Sequence, residues 1–188
     1  MLDAVVQVFT RPAAFFRILK DDDRVVSRAF LVVLIVAILA GIFVYFSALP
    51  SADAMRGTPF GGTFSLVITP ISALFASVIF WLIYGLLVRM PAGMEAKPWA
   101  VVGYATAPQI LIYAALIIIA ALFPPQLTPL SADMSDTQAF QEATFALQRE
   151  FQASFLGRAS TILTYVSSLW WLVLIFIGVR ETADQRKA

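Results

Sequence analysis

The segment AFLVVLIVAILAGIFVYFSAL, residues Ala29–Leu49, contains no Asp, Glu, Lys or Arg and decides the fold of this chain. A helix needs about 20 mainly apolar residues to cross hydrocarbon about 30 Å thick, because it rises about 1.5 Å per residue. Three further stretches, Thr63–Val88, Trp99–Phe123 and Ala159–Val179, are as long and as free of charge. The sequence therefore predicts an all-α, polytopic transmembrane helical bundle with about four spans.

The overall composition agrees with a membrane protein and excludes several kinds of chemistry. Of the 188 residues, 60% are hydrophobic and 13% are charged, whereas soluble domains have about 45–50% and about 25%. A net charge of +1 creates no field that would attract nucleic acid. Cysteine and histidine are both absent, which removes disulfides, thiolate chemistry and the commonest general base and metal ligand. We predict no metal site, no cofactor and no nucleic-acid partner.

The first apolar segment also invites comparison with a signal peptide, because Ala52-Asp53-Ala54 resembles a cleavage site. A signal peptide has a short basic start and an apolar run of about 7–15 residues. Here 28 residues precede an apolar run that is longer than that range. The sequence therefore favours a retained span.

The distribution of Lys and Arg predicts the topology. The segments that face the cytoplasm when both termini are inside hold ten of the 13 Lys and Arg residues, as the positive-inside rule favours. The chain then divides into an N-terminal cytoplasmic or interfacial segment 1–28, a transmembrane domain 29–180 and a cytoplasmic tail 181–188. The transmembrane domain contains the spans 29–49, 63–88, 99–123 and 159–179 and an outer loop 124–158. We expect the lipid bilayer to be the main partner of residues 29–180.

Two segments outside the spans are predicted to be amphipathic helices. Pro12 suits the first turn of a helix. The apolar residues Phe15, Phe16, Ile18 and Leu19 follow, interspersed with Arg17 and Lys20, a pattern typical of a helix in the headgroup plane. The alternative is an arm that docks a cytoplasmic partner.

In the third loop, Ser135 and Gln138 resemble a capping box. Apolar side chains then recur at helical spacing at Phe140, Ala143, Leu147, Phe151 and Phe155. We expect a lid packed on the bundle, the alternative being a binding element for a lipid or a partner.

Hydroxylated and small residues form stripes at four-residue spacing inside the spans. The second span contains Thr69 and Ser77, and the fourth contains Thr164 and Ser168. Such stripes let helices approach closely and form hydrogen bonds between them, so we interpret them as packing surfaces. The alternative is a polar permeation path. No ionisable residue lies within the spans, although ion pathways usually place one there, and no nucleophile–base pair is available for catalysis.

Two prolines and two tryptophans shape the predicted interior. Pro70 and Pro108 lie inside the second and third spans, where each removes a backbone hydrogen bond and bends the helix. The freed carbonyl of Tyr104 is expected to accept a hydrogen bond from a facing hydroxyl or indole. Trp170 and Trp171 lie at the centre of the fourth span, where we expect their indole N–H groups to find partners on Ser, Thr or Tyr.

Three ordered motifs resemble the Yip-domain family, which is named for Ypt-interacting proteins. They are Arg11-Pro12 with Phe15-Phe16, then Gly103-Tyr104-Ala105-Thr106-Ala107-Pro108, and then Trp170-Trp171 through Gly178-Val179-Arg180. The matching positions are Pro12, Phe16, Gly103, Tyr104, Pro108, Trp170, Trp171 and Gly178. The resemblance implies a membrane protein without catalytic residues. Eukaryotic members of the family are Golgi and endoplasmic-reticulum proteins linked to Rab GTPases, so it also implies GTPases as partners.

One departure from the family qualifies this comparison. Family members usually continue past the position of Lys187-Ala188 into a fifth span, so the contribution of that helix, including dimer contacts, is in doubt here. The compact N-terminus suits a prokaryotic plasma-membrane protein. The leading hypothesis is a non-enzymatic membrane scaffold or adaptor, with a small-solute or ion permease or channel as the alternative. A homo-oligomer is compatible with the sequence.

Overall fold

A computed structural model of the chain describes residues 2–19, 24–55, 63–93, 97–129 and 137–183, without the side chains of residues 2–3 and 63–65. These residues form the helices α1 (Leu2–Thr10), α2 (Pro12–Ile18), α3 (Val25–Ala54), α4 (Thr63–Ala92), α5 (Pro98–Ala105), α6 (Pro108–Leu122), α7 (Thr137–Ala153) and α8 (Phe155–Ala183). Four segments are long and apolar enough to cross a membrane, namely α3, most of α4, the α5–α6 pair and α8. The predicted all-α bundle with four spans is confirmed.

Helices α3, α4 and α8 are longer than their apolar segments. Helix α3 begins at Val25 and continues through Pro50 to Ala54, and α8 begins at Phe155. Hydropathy marks only the part of a helix that lies in hydrocarbon, whereas backbone hydrogen bonding continues into the headgroup layer. The difference in bounds therefore follows from what the apolar pattern measures.

The third span is divided at Pro108. Helix α5 ends at Ala105, a short turn follows, and α6 begins with Pro108. Proline cannot donate to the carbonyl of Tyr104 four residues earlier and fits the first turn of a helix, so the ladder restarts there. The expected bend at Pro108 is therefore present as a complete break, while α4 runs through Pro70 without interruption.

Helix α3 is the centre of the bundle and packs against α4, α5 and α6. Helix α8 packs on the other side of α5 and α6, and α4 and α6 hardly touch each other. The main buried cluster lies at one end, where α2 and the residues around Gly103 and Trp171 meet. We call this the motif end, and we call the opposite end, which carries α7, the loop end.

The two N-terminal helices pack on the motif end. Phe15 and Phe16 are both buried, and α2 contacts α8. The opposite side of α2 carries Arg17 and Ile18, which are exposed. The amphipathic pattern of this segment therefore separates a face that packs into the bundle from a face that points outward.

Helix α7 lies against the loop end with the predicted side inward. Leu147 is buried and Phe140, Ala143 and Phe151 are partly buried, whereas Phe145 is exposed. Phe155 is exposed and begins α8, where its ring packs against Phe123 at 5.7 Å. The proposed capping residue Ser135 lies outside the described residues.

Candidate functional site: the motif cluster

The first and third sequence motifs meet at Gly178. A Cβ atom on Gly178 would lie 2.5 Å from Cγ1 of Val101 and 3.2 Å from two ring atoms of Phe16. Glycine is therefore needed on α8 so that α2 and α5 can pack against it. Pro12 begins α2, and only one residue separates it from the end of α1. The chain therefore changes direction there, toward the bundle.

The second motif forms the other wall of the cluster. The rings of Phe15 and Tyr104 meet edge to face, with centroids 4.9 Å apart at 76°. A Cβ atom on Gly103 would lie 2.9 Å from Cβ of Ala29 and 3.1 Å from Nε1 of Trp81. The backbone of α5 therefore approaches α3 and α4 closely at Gly103, in the way that small residues allow in membrane helices.

The turn before Pro108 satisfies its own carbonyl groups. The backbone N–H of Ala107 donates to the carbonyl of Tyr104 at 3.0 Å, and the Thr106 hydroxyl donates to the carbonyl of Gly103 at 2.7 Å. The sequence suggested a hydroxyl or indole on a facing helix as the donor to Tyr104. The structure shows a backbone donor to this carbonyl within the turn itself.

The two adjacent tryptophans have different environments. Trp171 is buried against the rings of Phe80 and Tyr84, at 5.3 and 4.9 Å, whereas 38% of Trp170 is exposed. The indole N–H of Trp171 has no hydrogen-bond partner among the described residues. The expected bond to a hydroxyl is therefore not formed by Trp171, because aromatic rings surround it.

Sequence reasoning missed two tryptophans that belong to the cluster. The indole N–H of Trp81 donates to the backbone carbonyl of Trp99 at 2.8 Å, which joins α4 to α5. Trp99 lies at the start of the third span, where tryptophan is common, and Trp81 lies well inside α4. Only the contact between the two side chains reveals their role.

Polar contacts fasten α2 at the motif end. Arg17 forms an ion pair with Glu181 at 2.8 Å, which links α2 to the last turns of α8. The ammonium group of Lys97 donates to the carbonyl of Leu19 at 3.4 Å, at the C-terminus of α2, where a cation is favoured. Lys97 itself has a left-handed backbone, with φ of 45°. These contacts place the N-terminal helices and the end of α8 on the same side of the bundle.

The predicted polar interior is mostly not interior. Thr69, Thr164 and Ser168 are exposed on their helices, and the Ser168 hydroxyl donates to the carbonyl of Thr164 within α8, at 2.8 Å. The prediction that Thr164 and Ser168 line an interior was wrong. Four-residue spacing defines one side of a helix, but it does not say which side faces the bundle.

Only Ser77 of the predicted polar set faces a cleft inside the bundle. This cleft of about 310 Å³ lies between α3, α4 and α6, and its other polar lining residues are Thr106, Gln109 and Tyr113. No charged side chain lines it. Among the described residues, no three His, Cys, Asp or Glu side chains come close enough together to hold a metal ion.

The family model of the Yip1 domain matches residues 6–188, which span all three motifs. The chain belongs to the Yip1-domain family. No curated protein and no solved structure matches the chain. In this Yip1-domain protein, the family-like residues Phe16, Gly103, Tyr104 and Gly178 converge on one buried cluster. These residues pack the helices against one another, because the groups in contact are aromatic rings, methyl groups and glycine backbone.

Proposed function

We propose that this integral membrane protein is a non-enzymatic scaffold or adaptor that presents the outer surface of α1 and α2 to a cytoplasmic protein. The observation that carries the proposal is the attachment of α2 to the bundle through Phe16, Arg17 and Lys97. Phe16 and Tyr104, two of the residues that resemble the family motifs, lie in the buried cluster that supports α2.

The surface of α1 and α2 has the features of a partner site. Val6 and Ile18 are exposed apolar residues, with 56% and 68% of their surfaces accessible, and the exposed Arg11 and Arg17 lie between them in the sequence. Arginine side chains are enriched in protein interfaces, and the buried core of an interface is more apolar than the rest of the surface. A GTPase is the partner class that family membership suggests.

A permease is supported less well. Thr69 lines a groove under α7 at the loop end, and Tyr104 lines a separate cavity at the motif end. Thr164 is exposed on the surface of α8. The three residues that would mark a polar path are therefore distributed over different surfaces, which favours the scaffold.

The proposed setting is a prokaryotic plasma membrane with both termini in the cytoplasm. The ten-to-three distribution of Lys and Arg supports this orientation. The ion pair between Arg17 and Glu181 also requires α2 and the end of α8 to share one side.

Cross-linking in native membranes tests the adaptor role. Ile18→Cys carries a photoactivatable cross-linker on the proposed surface, and Phe145→Cys carries the same reagent on exposed α7 as the matched control. We expect one cytoplasmic protein to be captured from Ile18→Cys alone, and to be lost when Arg11 is changed to Glu. Capture that is equal at both positions, or saturable solute flux by the purified protein in liposomes, would contradict the scaffold.

A further inference from the structure

The cleft that contains Ser77 lies at about the middle of the predicted spans. Ser77 and Gln109 are close to the centres of the second and third apolar segments. Helices α4 and α6 both pack on α3 but hardly touch each other, so the cleft separates them. Ala76 and Phe80 on its lining are exposed, so the cleft opens sideways, toward lipid.

The Gln109 carboxamide and the Tyr113 hydroxyl in the cleft make no hydrogen bond to the described residues. The Ser77 hydroxyl, by contrast, donates to the carbonyl of Ala73 at 2.9 Å, and the Thr106 hydroxyl donates to the carbonyl of Gly103 at 2.7 Å. An unpaired polar group in hydrocarbon costs several kcal/mol. The cleft therefore presents N–H and O–H donors that require acceptors.

The remaining lining restricts what can supply those acceptors. Most of the other lining residues are Val and Ala, with the ring of Phe80 beside them. Water suits a site only where each molecule has two to four polar partners, and this cleft has few polar groups for its volume. A phosphate or carboxylate would lose its hydration without gaining a counter-charge. An apolar cleft of this size with a few convergent polar groups is typical of a small-molecule site.

We propose that this cleft binds an uncharged, carbonyl-bearing molecule that dissolves in the bilayer, of the quinone class. Its carbonyl oxygens accept hydrogen bonds from Gln109 and Tyr113, and its ring lies beside Phe80. Such a molecule can leave the headgroup layer because it carries no charge. This binding does not depend on the scaffold role, since the cleft lies between α4 and α6 and the proposed partner surface lies on α1 and α2.

Thermal unfolding of the full chain in detergent, titrated with decylubiquinone, tests the proposal. A ligand that binds only the folded state raises Tm in a saturable way. Tyr113→Phe removes the hydroxyl donor and Gln109→Leu removes the carboxamide with its N–H donors, each at similar volume. Tyr165→Phe removes the same hydroxyl from the exposed surface of α8 and is the matched control. Dodecylbenzene, which lacks carbonyl groups, is the control ligand.

We expect saturable stabilisation of the wild type and of Tyr165→Phe by decylubiquinone. The apparent Kd should rise about fivefold to tenfold in each cleft variant, as expected for loss of one buried hydrogen bond. No saturable shift in the wild type would overturn the proposal, as would an equal shift with dodecylbenzene or unchanged affinity in both cleft variants. If Gln109→Leu does not fold, Tyr113→Phe alone decides the outcome, because it preserves the ring.

Discussion

At the scale of single residues, the absence of a side chain at Gly103 sets how closely three helices approach. A Cβ atom there already conflicts with Ala29 and Trp81. We expect Gly103→Leu to destabilise the protein by about 1–3 kcal/mol or more, as overpacking does, and to lower Tm in detergent by several degrees. Thr164→Leu, on the exposed face of α8, is the control and should leave Tm nearly unchanged. A normal Tm for Gly103→Leu together with lost function would make Gly103 part of a binding site.

Burial of Phe16 and the Arg17–Glu181 ion pair both hold α2 on the bundle, and they should contribute very differently to the free energy of unfolding. Phe16 is fully buried, so Phe16→Ala should cost about 3–5 kcal/mol. Arg17 and Glu181 are 62% and 19% exposed, and an exposed pair contributes about 0–1 kcal/mol. Chemical unfolding of Phe16→Ala and Glu181→Gln compares the two. A larger loss from Glu181→Gln would show that charge, rather than packing, holds α2.

At the scale of one element, α7 depends on a single buried side chain. Leu147 is buried and Phe145 is exposed on the same helix. We expect Leu147→Asp to detach α7 and to increase proteolytic cleavage between α6 and α8, because a buried carboxylate without a partner is costly. The same substitution at Phe145 is the control, and comparable cleavage of both variants would contradict this packing.

A second element-scale contact involves the segment that follows α6. The Glu150 carboxylate accepts hydrogen bonds from the backbone N–H and the hydroxyl of Thr128, at 3.1 and 3.0 Å. This pair joins the segment after α6 to α7. The amphipathic pattern of α7 predicts which of its sides is apolar, but the pairing of Glu150 with Thr128 required the folded chain.

At the scale of the whole molecule, the four candidate spans lead us to expect α1 and the end of α8 on the same side of the membrane. We expect Gln7→Cys to be labelled by an impermeant maleimide only after the cells are opened, and Gln148→Cys to be labelled in intact cells. The chain contains no native cysteine, so each signal reports a single position. Labelling of Gln7→Cys in intact cells would reverse the proposed orientation.

The number of spans, the helical class and the amphipathic α7 could be predicted from the sequence because each depends on local properties. Apolar length, freedom from charge and helical spacing are all read along one segment. The same reasoning placed a bend at Pro108, where the structure has a break, because a missing N–H acts on its own helix. It placed a bend at Pro70 as well, where α4 continues without interruption.

Only the tertiary structure decided which sides of the helices meet. It put Phe16 against Gly178, turned Thr164 and Ser168 outward, and left Gln109 and Tyr113 facing a cleft. In a membrane both sides of a span are apolar, so hydropathy does not distinguish the packed side from the lipid side. The rotation of each helix follows instead from close packing with its neighbours, a property that no single segment contains.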